Sequence, residues 1–275
     1  MAFDRITEQS SLYDNLQDMS AEELLCNINA EDRKVATAVE RTIPQITTLV
    51  EGIIVRMKQG GRIFYLGAGT SGRLGVLDAS EIPPTYGMPP TYVVGIIAGG
   101  YDALRRSIEG AEDDYEKGWN ELLGYNVTSL DTVIGLAASG TTPYVIGALR
   151  HCREKGILTA AVCCNPESPV ADAADIAIEA VTGPEFVTGS TRMKAGTAEK
   201  MILNMITTSV MIKIGRVKGN RMINMQLTNK KLVERGVRMI IEETGFDYEK
   251  AERLLLLHGS VKSALDSLKM RGTVL

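Results

Sequence analysis

Five short apolar runs, Arg62–Leu66, Tyr92–Ile97, Thr132–Leu136, Thr159–Cys164 and Ile176–Ile178, alternate with helix-length stretches through the middle of the chain. Runs this short and continuously apolar suit strands buried on both faces. The intervening helices, from about Gly72 to Ser80, Ala103 to Leu123 and Pro143 to Lys155, then cover the sheet on both sides. The pattern predicts an α/β fold with a doubly wound, mainly parallel five-stranded sheet.

Helical patterns flank this core. Ser20-Ala21-Glu22-Glu23 reads as a capping box opening a short helix toward Asn29. A helical pattern follows from Glu31 to about Gln59, with Val35, Val39, Ile43, Ile46, Val50, Ile53 and Ile54 as its apolar stripe. Pro44 kinks or splits that helix, and Gly60-Gly61 ends it. A long apolar helix is expected from Thr191 to Lys213. Beyond Lys218 the chain reads as helical, with Asp247 capping Tyr248–His258 and a last amphipathic helix from Ser260 to Lys269. The expected organisation is N-terminal helices at 1–60, a sheet domain at 61–219 and a small helical region at 220–275. A chain of 275 residues is long enough for one full core and a smaller unit.

The net charge of −4 lacks the basic footprint of a nucleic-acid partner. No apolar run approaches about 18 residues, so no membrane span is expected. Met1-Ala2-Phe3-Asp4-Arg5 does not open like a signal peptide. Cys26, Cys152, Cys163 and Cys164 form no Cys-x-x-Cys, and His151 and His258 lie far apart, so neither metal nor disulfide framework is expected. These features point to the cytoplasm.

Two strand ends share one design. The first runs into Gly67-Ala68-Gly69-Thr70-Ser71-Gly72, the third into Ala138-Ser139-Gly140-Thr141-Thr142-Pro143. Glycines allow tight turns and close approach of a ligand, and the following helix N-terminus offers free N–H groups to an anion. Pro143 suits a first helical turn. One such corner is more often a tight turn than a site, but two of them, both rich in hydroxyls, point to phosphate. The candidate ligands are Gly69, Thr70, Ser71, Ser139, Gly140, Thr141 and Thr142. The first loop also fits Gly-x-Gly-x-x-Gly, yet the second strand ends in Ile96-Ile97-Ala98-Gly99-Gly100, without the acid a dinucleotide ribose requires. No Gly-Lys-Ser/Thr follows, which also excludes a Walker loop.

Two carboxylates stand near these loops. Glu81 precedes Pro83-Pro84, which fix the chain direction. Glu112 lies in Glu109-Gly110-Ala111-Glu112-Asp113-Asp114, where a solvated acidic helix face is the plainer reading. In Thr188–Thr197, Ser190, Thr191, Arg192 and Lys194 either contact a sugar phosphate or simply cap and solvate a helix start. Glu199, one turn further on, reads as a base or as an ordinary polar helix residue.

Four blocks together resemble a known family: Leu66–Gly75 with Asp78–Gly87, Ile108–Asp113, Ala137–Tyr144 and Thr188–Ala198 are similar to the N-acetylmuramic acid 6-phosphate etherases. The resemblance runs in order over roughly residues 20–245. It implies a sugar-isomerase (SIS) type fold, a phosphosugar substrate, a cytoplasmic homodimer and a part in recycling cell-wall muropeptide sugars. The implied reaction splits the lactyl ether of N-acetylmuramic acid 6-phosphate into N-acetylglucosamine 6-phosphate and D-lactate. Glu81 matches the family's general acid and Glu112 its general base. Two carboxylates suffice for this chemistry, without metal or cofactor. The family continues some tens of residues further, so the resemblance also implies a shortened C-terminal tail. Other readings of the same scaffold are an aldose–ketose isomerase using Glu199 or Glu112, and a phosphosugar-sensing regulator.

Overall fold

The computed structural model describes Phe3 and residues 5–270. Two short 3-10 turns, Ile6–Glu8 and Leu16–Asp18, lead into α1 (Ala21–Glu40). Its capping box is formed: Ser20 Oγ accepts the Glu23 N–H, and the Glu23 carboxylate accepts the Ser20 N–H at 2.7 Å. α1 runs unbroken past Asn29, where the short helix is expected to end, and the break falls instead before Pro44, in the first turn of α2 (Ile43–Lys58). Proline lacks an N–H to bond the preceding turn and is tolerated without loss only at a helix start.

The strands and helices then alternate: β1 (Ile63–Gly67), α3 (Gly69–Tyr86), β2 (Val93–Ile97), α4 (Lys117–Gly124), β3 (Thr132–Leu136), α5 (Pro143–Glu154), β4 (Leu158–Cys163), α6 (Pro169–Asp172), β5 (Ile176–Glu179) and α7 (Lys194–Lys213). The sheet is parallel throughout, in the order β2-β1-β3-β4-β5. Every residue of β1 and β3 is buried, as their unbroken apolar runs require. Phe64, Leu66 and Val133 pack with Val145, Leu149 and Cys152 of α5 on one face. Cys152, Cys163 and Cys164 are free buried thiols, and burial pushes Cys152 and Cys163 up to about 12.

Two later helices also differ from expectation. α3 does not stop at Ser80 but carries Pro83 and Pro84 within it, its last turn supported by buried Ile82 and Tyr86 and closed by the Gly87 N–H on the Pro83 carbonyl. The helix expected over 103–123 is mostly absent. A 3-10 turn at Tyr101–Leu104 is followed by turns, and α4 starts only after Asp114, whose carboxylate accepts the Glu116 and Lys117 N–H groups. Gly110 interrupts the segment at φ +68°. Glu112 therefore stands on a loop, not on a solvated helix face.

The chain forms two compact units. One holds the chain up to Ala79 with Thr91–Val210; the other holds Ser80–Pro90 with the chain from Met211 onward. The second contains a hairpin, β6 (Val217–Lys218) and β7 (Arg221–Met222), then α8 (Lys230–Thr244), α9 (Tyr248–His258) and α10 (Val261–Met270). Its core gathers Met225, Val237, Ile240, Leu255, Val261 and Ala264. Asn229 and Asp247 cap α8 and α9, and the Gln226 N–H on the Pro84 carbonyl ties the early segment to this unit. Nothing in the sequence near residues 80–90 signals that they belong with the C-terminal helices.

At the base of the sheet Asp131 is buried and joins β1 to β3. It accepts the Arg62 N–H and Nε at one oxygen, and Arg62 Nη2 and the Thr128 N–H at the other, all within 3.0 Å. Burial works against its ionisation, but the Arg62 guanidinium and these N–H groups outweigh that and hold the carboxyl below the usual range. Asp131→Ala should cost about 2–3 kcal/mol by urea unfolding at pH 7. Because the folded value is depressed, the wild-type advantage should hold above about pH 5. It should shrink as pH falls below the unfolded value of about 3.9; an advantage independent of pH would refute this role.

Candidate functional site

In an open parallel sheet, ligands sit beyond the strand C-termini where the strand order reverses, here between β1 and β3. Gly67 at the end of β1 pairs with Leu136 at the end of β3, so the two hydroxyl-rich loops leave adjacent strands side by side. The packing leaves no room for a side chain at Gly67: a Cβ there would fall 2.8 Å from the Gly72 nitrogen and 2.9 Å from the Leu136 carbonyl oxygen. The loops are also bonded, since Ser71 Oγ accepts the Ala138 N–H at 3.4 Å. Ser139 Oγ accepts from the Thr141 N–H and hydroxyl, at 3.4 and 3.2 Å. Thr142 precedes Pro143 at the first position of α5 and makes no side-chain cap, and Gly140 is required because a Cβ would lie 2.3 Å from Ser168 Cβ. The segments holding Gly69, Thr70 and Ser71 and holding Ser139, Gly140, Thr141 and Thr142 thus follow the ends of adjacent strands, joined by the Ser71–Ala138 bond into one candidate rim.

The start of α7 lies against that rim. A Cβ on Gly196 would sit 3.4 Å from Thr70 Cγ2. Ser190 and Thr191 are half-buried just before the helix. The first N–H groups of α7, at Lys194 and Ala195, are taken by the buried Glu185 carboxylate at 3.0 and 2.9 Å. Lys194 is itself buried, with Nζ 2.6 Å from Glu31 of α1. Glu31 also accepts from Lys34 and from the Tyr13 hydroxyl. Burial raises the Glu31 carboxyl, but Lys194 and Lys34 more than reverse this and leave it lowered. Asn165, fully buried, holds the second loop from beneath: its amide donates to the Ser139 carbonyl and to Thr7 Oγ1, while its oxygen accepts the Thr7 N–H.

Glu112 is exposed, and its carbonyl accepts the Tyr144 N–H at the start of α5. Together with Gly69, Arg73 and Arg106 it lines a cavity of about 390 Å³. Arg73 is fixed by donating Nε to the Ala103 carbonyl and Nη2 to the Arg106 carbonyl. Glu81 is exposed on α3, in the Ser80–Pro90 segment of the second unit. Glu199 is fully buried; neither carboxylate oxygen has a well-aligned hydrogen bond, and the Ser71 hydroxyl is in loose hydrogen-bonding contact with it. Burial raises it to about 8, and the nearby Ser71 hydroxyl pulls the other way. Glu31, Glu185 and Asn165 carry no local sequence signal. Arg73, one residue past the first glycine loop, sits where an arginine near an anion site could have been anticipated.

Among the described residues no group of three or more metal-ligating side chains occurs. No described helix is long and apolar enough to cross a membrane.

Residues 45–153 match the glucokinase regulatory protein N-terminal SIS domain family, and residues 121–209 match the SIS domain family. The chain is 66% identical to the N-acetylmuramic acid 6-phosphate etherase of Bacteroides thetaiotaomicron over 98% of this chain and 97% of that one. It is 65% identical to the protein of the same name from Porphyromonas gingivalis, over 98% of each. Among solved structures, phosphoheptose isomerase from Neisseria gonorrhoeae superposes with a TM-score of 0.53 at 15% identity, over 70% of this chain and 98% of that one, a likeness of fold.

The buried ion pair separates two tasks for Lys194. Lys194→Met should destabilise the protein by about 3 kcal/mol by urea unfolding, because Glu31 loses its buried partner. Adding Glu31→Gln should recover at least about 1 kcal/mol. A stable Lys194→Met protein with weakened phosphosugar affinity would instead make Lys194 a direct ligand contact.

Proposed function

The chain belongs to the N-acetylmuramic acid 6-phosphate etherase family, and on that premise we propose how its residues divide the family's reaction. The enzyme is a carbon–oxygen lyase that cleaves the D-lactyl ether of N-acetylmuramic acid 6-phosphate to N-acetylglucosamine 6-phosphate and D-lactate. The phosphate is held by the N–H groups and hydroxyls of Gly69, Thr70, Ser71, Ser139, Gly140, Thr141 and Thr142, with Ser190 and Thr191 completing the rim from the α7 side. Lys194 serves this rim through its pair with Glu31 rather than by touching the ligand. The observation that supports the reading most is that the Glu112 loop and Gly69 of the first glycine loop line the same cavity.

With the phosphate anchored, C1–C3 of the open-chain sugar extend toward Glu112. The C2 hydrogen is α to the aldehyde, so Glu112 can remove it and leave the electron pair delocalised onto the carbonyl oxygen. Collapse of that pair expels the lactyl oxygen from C3, and Glu81 protonates it, releasing D-lactate. Water then adds to the unsaturated aldehyde, its oxygen to C3 and a proton to C2. A base and an acid of opposite starting protonation state are needed, and two carboxylates supply them.

An isomerase using Glu199 as its base loses support, because no atom of that carboxyl reaches the surface. A pure sensor has no need of a base beside its phosphate rim. The protein is further proposed to act as a homodimer in the cytoplasm on a phosphosugar drawn from recycled cell-wall material.

Incubation with N-acetylmuramic acid 6-phosphate should yield stoichiometric D-lactate, and none from folded protein would remove the reading. Glu112→Ala should lose both lactate release and exchange of the C2 proton with deuterium, by about 10²-fold or more. Glu81→Ala should keep exchange while losing lactate; the reverse pattern would interchange the two roles. Ser71→Ala should weaken N-acetylglucosamine 6-phosphate roughly tenfold, as expected for a hydrogen bond to a charged group; unchanged affinity would put the phosphate elsewhere.

A further inference from the structure

Glu199 is used by none of the steps above, yet it occupies a costly position. It lies in the second turn of α7, fully buried, with no well-aligned hydrogen bond on either oxygen and only the Ser71 hydroxyl in loose contact. Buried polar atoms left without partners need a reason. The group it faces on α3 is Ser71, whose oxygen already accepts the Ala138 N–H of the second loop. A hydroxyl has two acceptor sites but a single hydrogen to give.

We propose that Glu199 is a positioning residue for the phosphate: as a neutral acid it donates to Ser71 Oγ and leaves the Ser71 hydrogen free for a phosphate oxygen. An ionised Glu199 does the opposite. It takes the Ser71 hydrogen for itself and sets an unscreened negative charge behind the bound dianion. Phosphate binding and protonation of Glu199 are therefore coupled, each favouring the other. Of the titratable groups packed around Glu199, Cys163 and Cys164 come from β4 and burial holds both thiols neutral well beyond pH 9. Lys194, earlier on α7, is paired with Glu31, and the Glu185 carboxylate is bonded to the N–H groups that open the helix. The burial that raises the carboxyl to about 8 makes the neutral form the prevailing one at pH 7.

The inference rests on the placement of the phosphate proposed above. Its test is the pH dependence of N-acetylglucosamine 6-phosphate binding by calorimetry. A sugar phosphate is already a dianion above its second pKa of about 6, so the ligand adds no change from pH 7 to 9. Affinity should fall roughly tenfold between pH 7 and pH 9, the loss expected when one group near 8 must be protonated. Binding near pH 8.5 should take up a proton, seen as a dependence of the heat on buffer ionisation enthalpy. Glu199→Gln, whose amide can still donate to Ser71, should flatten the pH dependence. Wild-type affinity that is level from pH 7 to 9, with no proton uptake, overturns the proposal while leaving the phosphate site intact. The same slope in Glu199→Gln also overturns it. Absence of binding at every pH removes the phosphate placement together with this inference.

Discussion

The pairing of β1 with β3 is the constraint on which the site depends. Residue by residue the register runs Ile63 to Thr132 through Gly67 to Leu136, so both strands end at the same level. Two loops that lie far apart in the chain are thereby set side by side, and the Ser71–Ala138 hydrogen bond joins them. The register is secured at the far end by Asp131 and Arg62, and at the near end by the absence of a side chain on Gly67. A side chain at Gly67 would collide with the Gly72 nitrogen and the Leu136 carbonyl oxygen.

Around this rim the protein places buried charge in pairs. Glu31 with Lys194, and Glu185 with the first N–H groups of α7, remove ionised groups from water but give each a partner. Such arrangements add little net stability over apolar packing, and are costly to break on one side. Their effect is positional: α1, the start of α7 and the Phe186–Thr191 segment are held in a single arrangement. Asn165 does the same for the turn at Ile6–Glu8 and the second hydroxyl-rich loop. Glu199 stands apart: it is buried beside the loops with no ion pair among the described residues, only the loosely placed Ser71 hydroxyl facing it.

The arrangement also separates holding from reacting. The rim is made of backbone and short hydroxyl side chains on the ends of rigid elements, suited to fixing one end of a small molecule. The carboxylates given chemical roles are exposed: Glu112 on an irregular loop and Glu81 on α3. Exposure leaves room for a substrate to enter, and loops tolerate the adjustment that catalysis requires.

The sequence by itself determined the parallel sheet, the two glycine- and hydroxyl-rich loops, the helix caps at Ser20 and Asp247, and the family. Each of these is written in neighbouring residues: unbroken apolar runs, glycines before a helix, a hydroxyl or carboxylate at a helix start. It misread the 103–123 segment as one helix, because hydrophobic period outweighed Gly110 and the Asp114 cap. It also stopped α3 at Ser80, because the burial of Ile82 and Tyr86 that carries the helix past two prolines is a tertiary effect. Tertiary structure alone decided what each polar residue faces. Lys194 reads as a surface cation until Glu31, 163 positions away, is found 2.6 Å from its ammonium. Glu199 reads as an ordinary helix polar residue until Ser71, β4 and its own helix close around it. Local pattern sets which backbone forms, but burial and charge partners are properties of residues brought together from distant parts of the chain, and those no window of sequence contains.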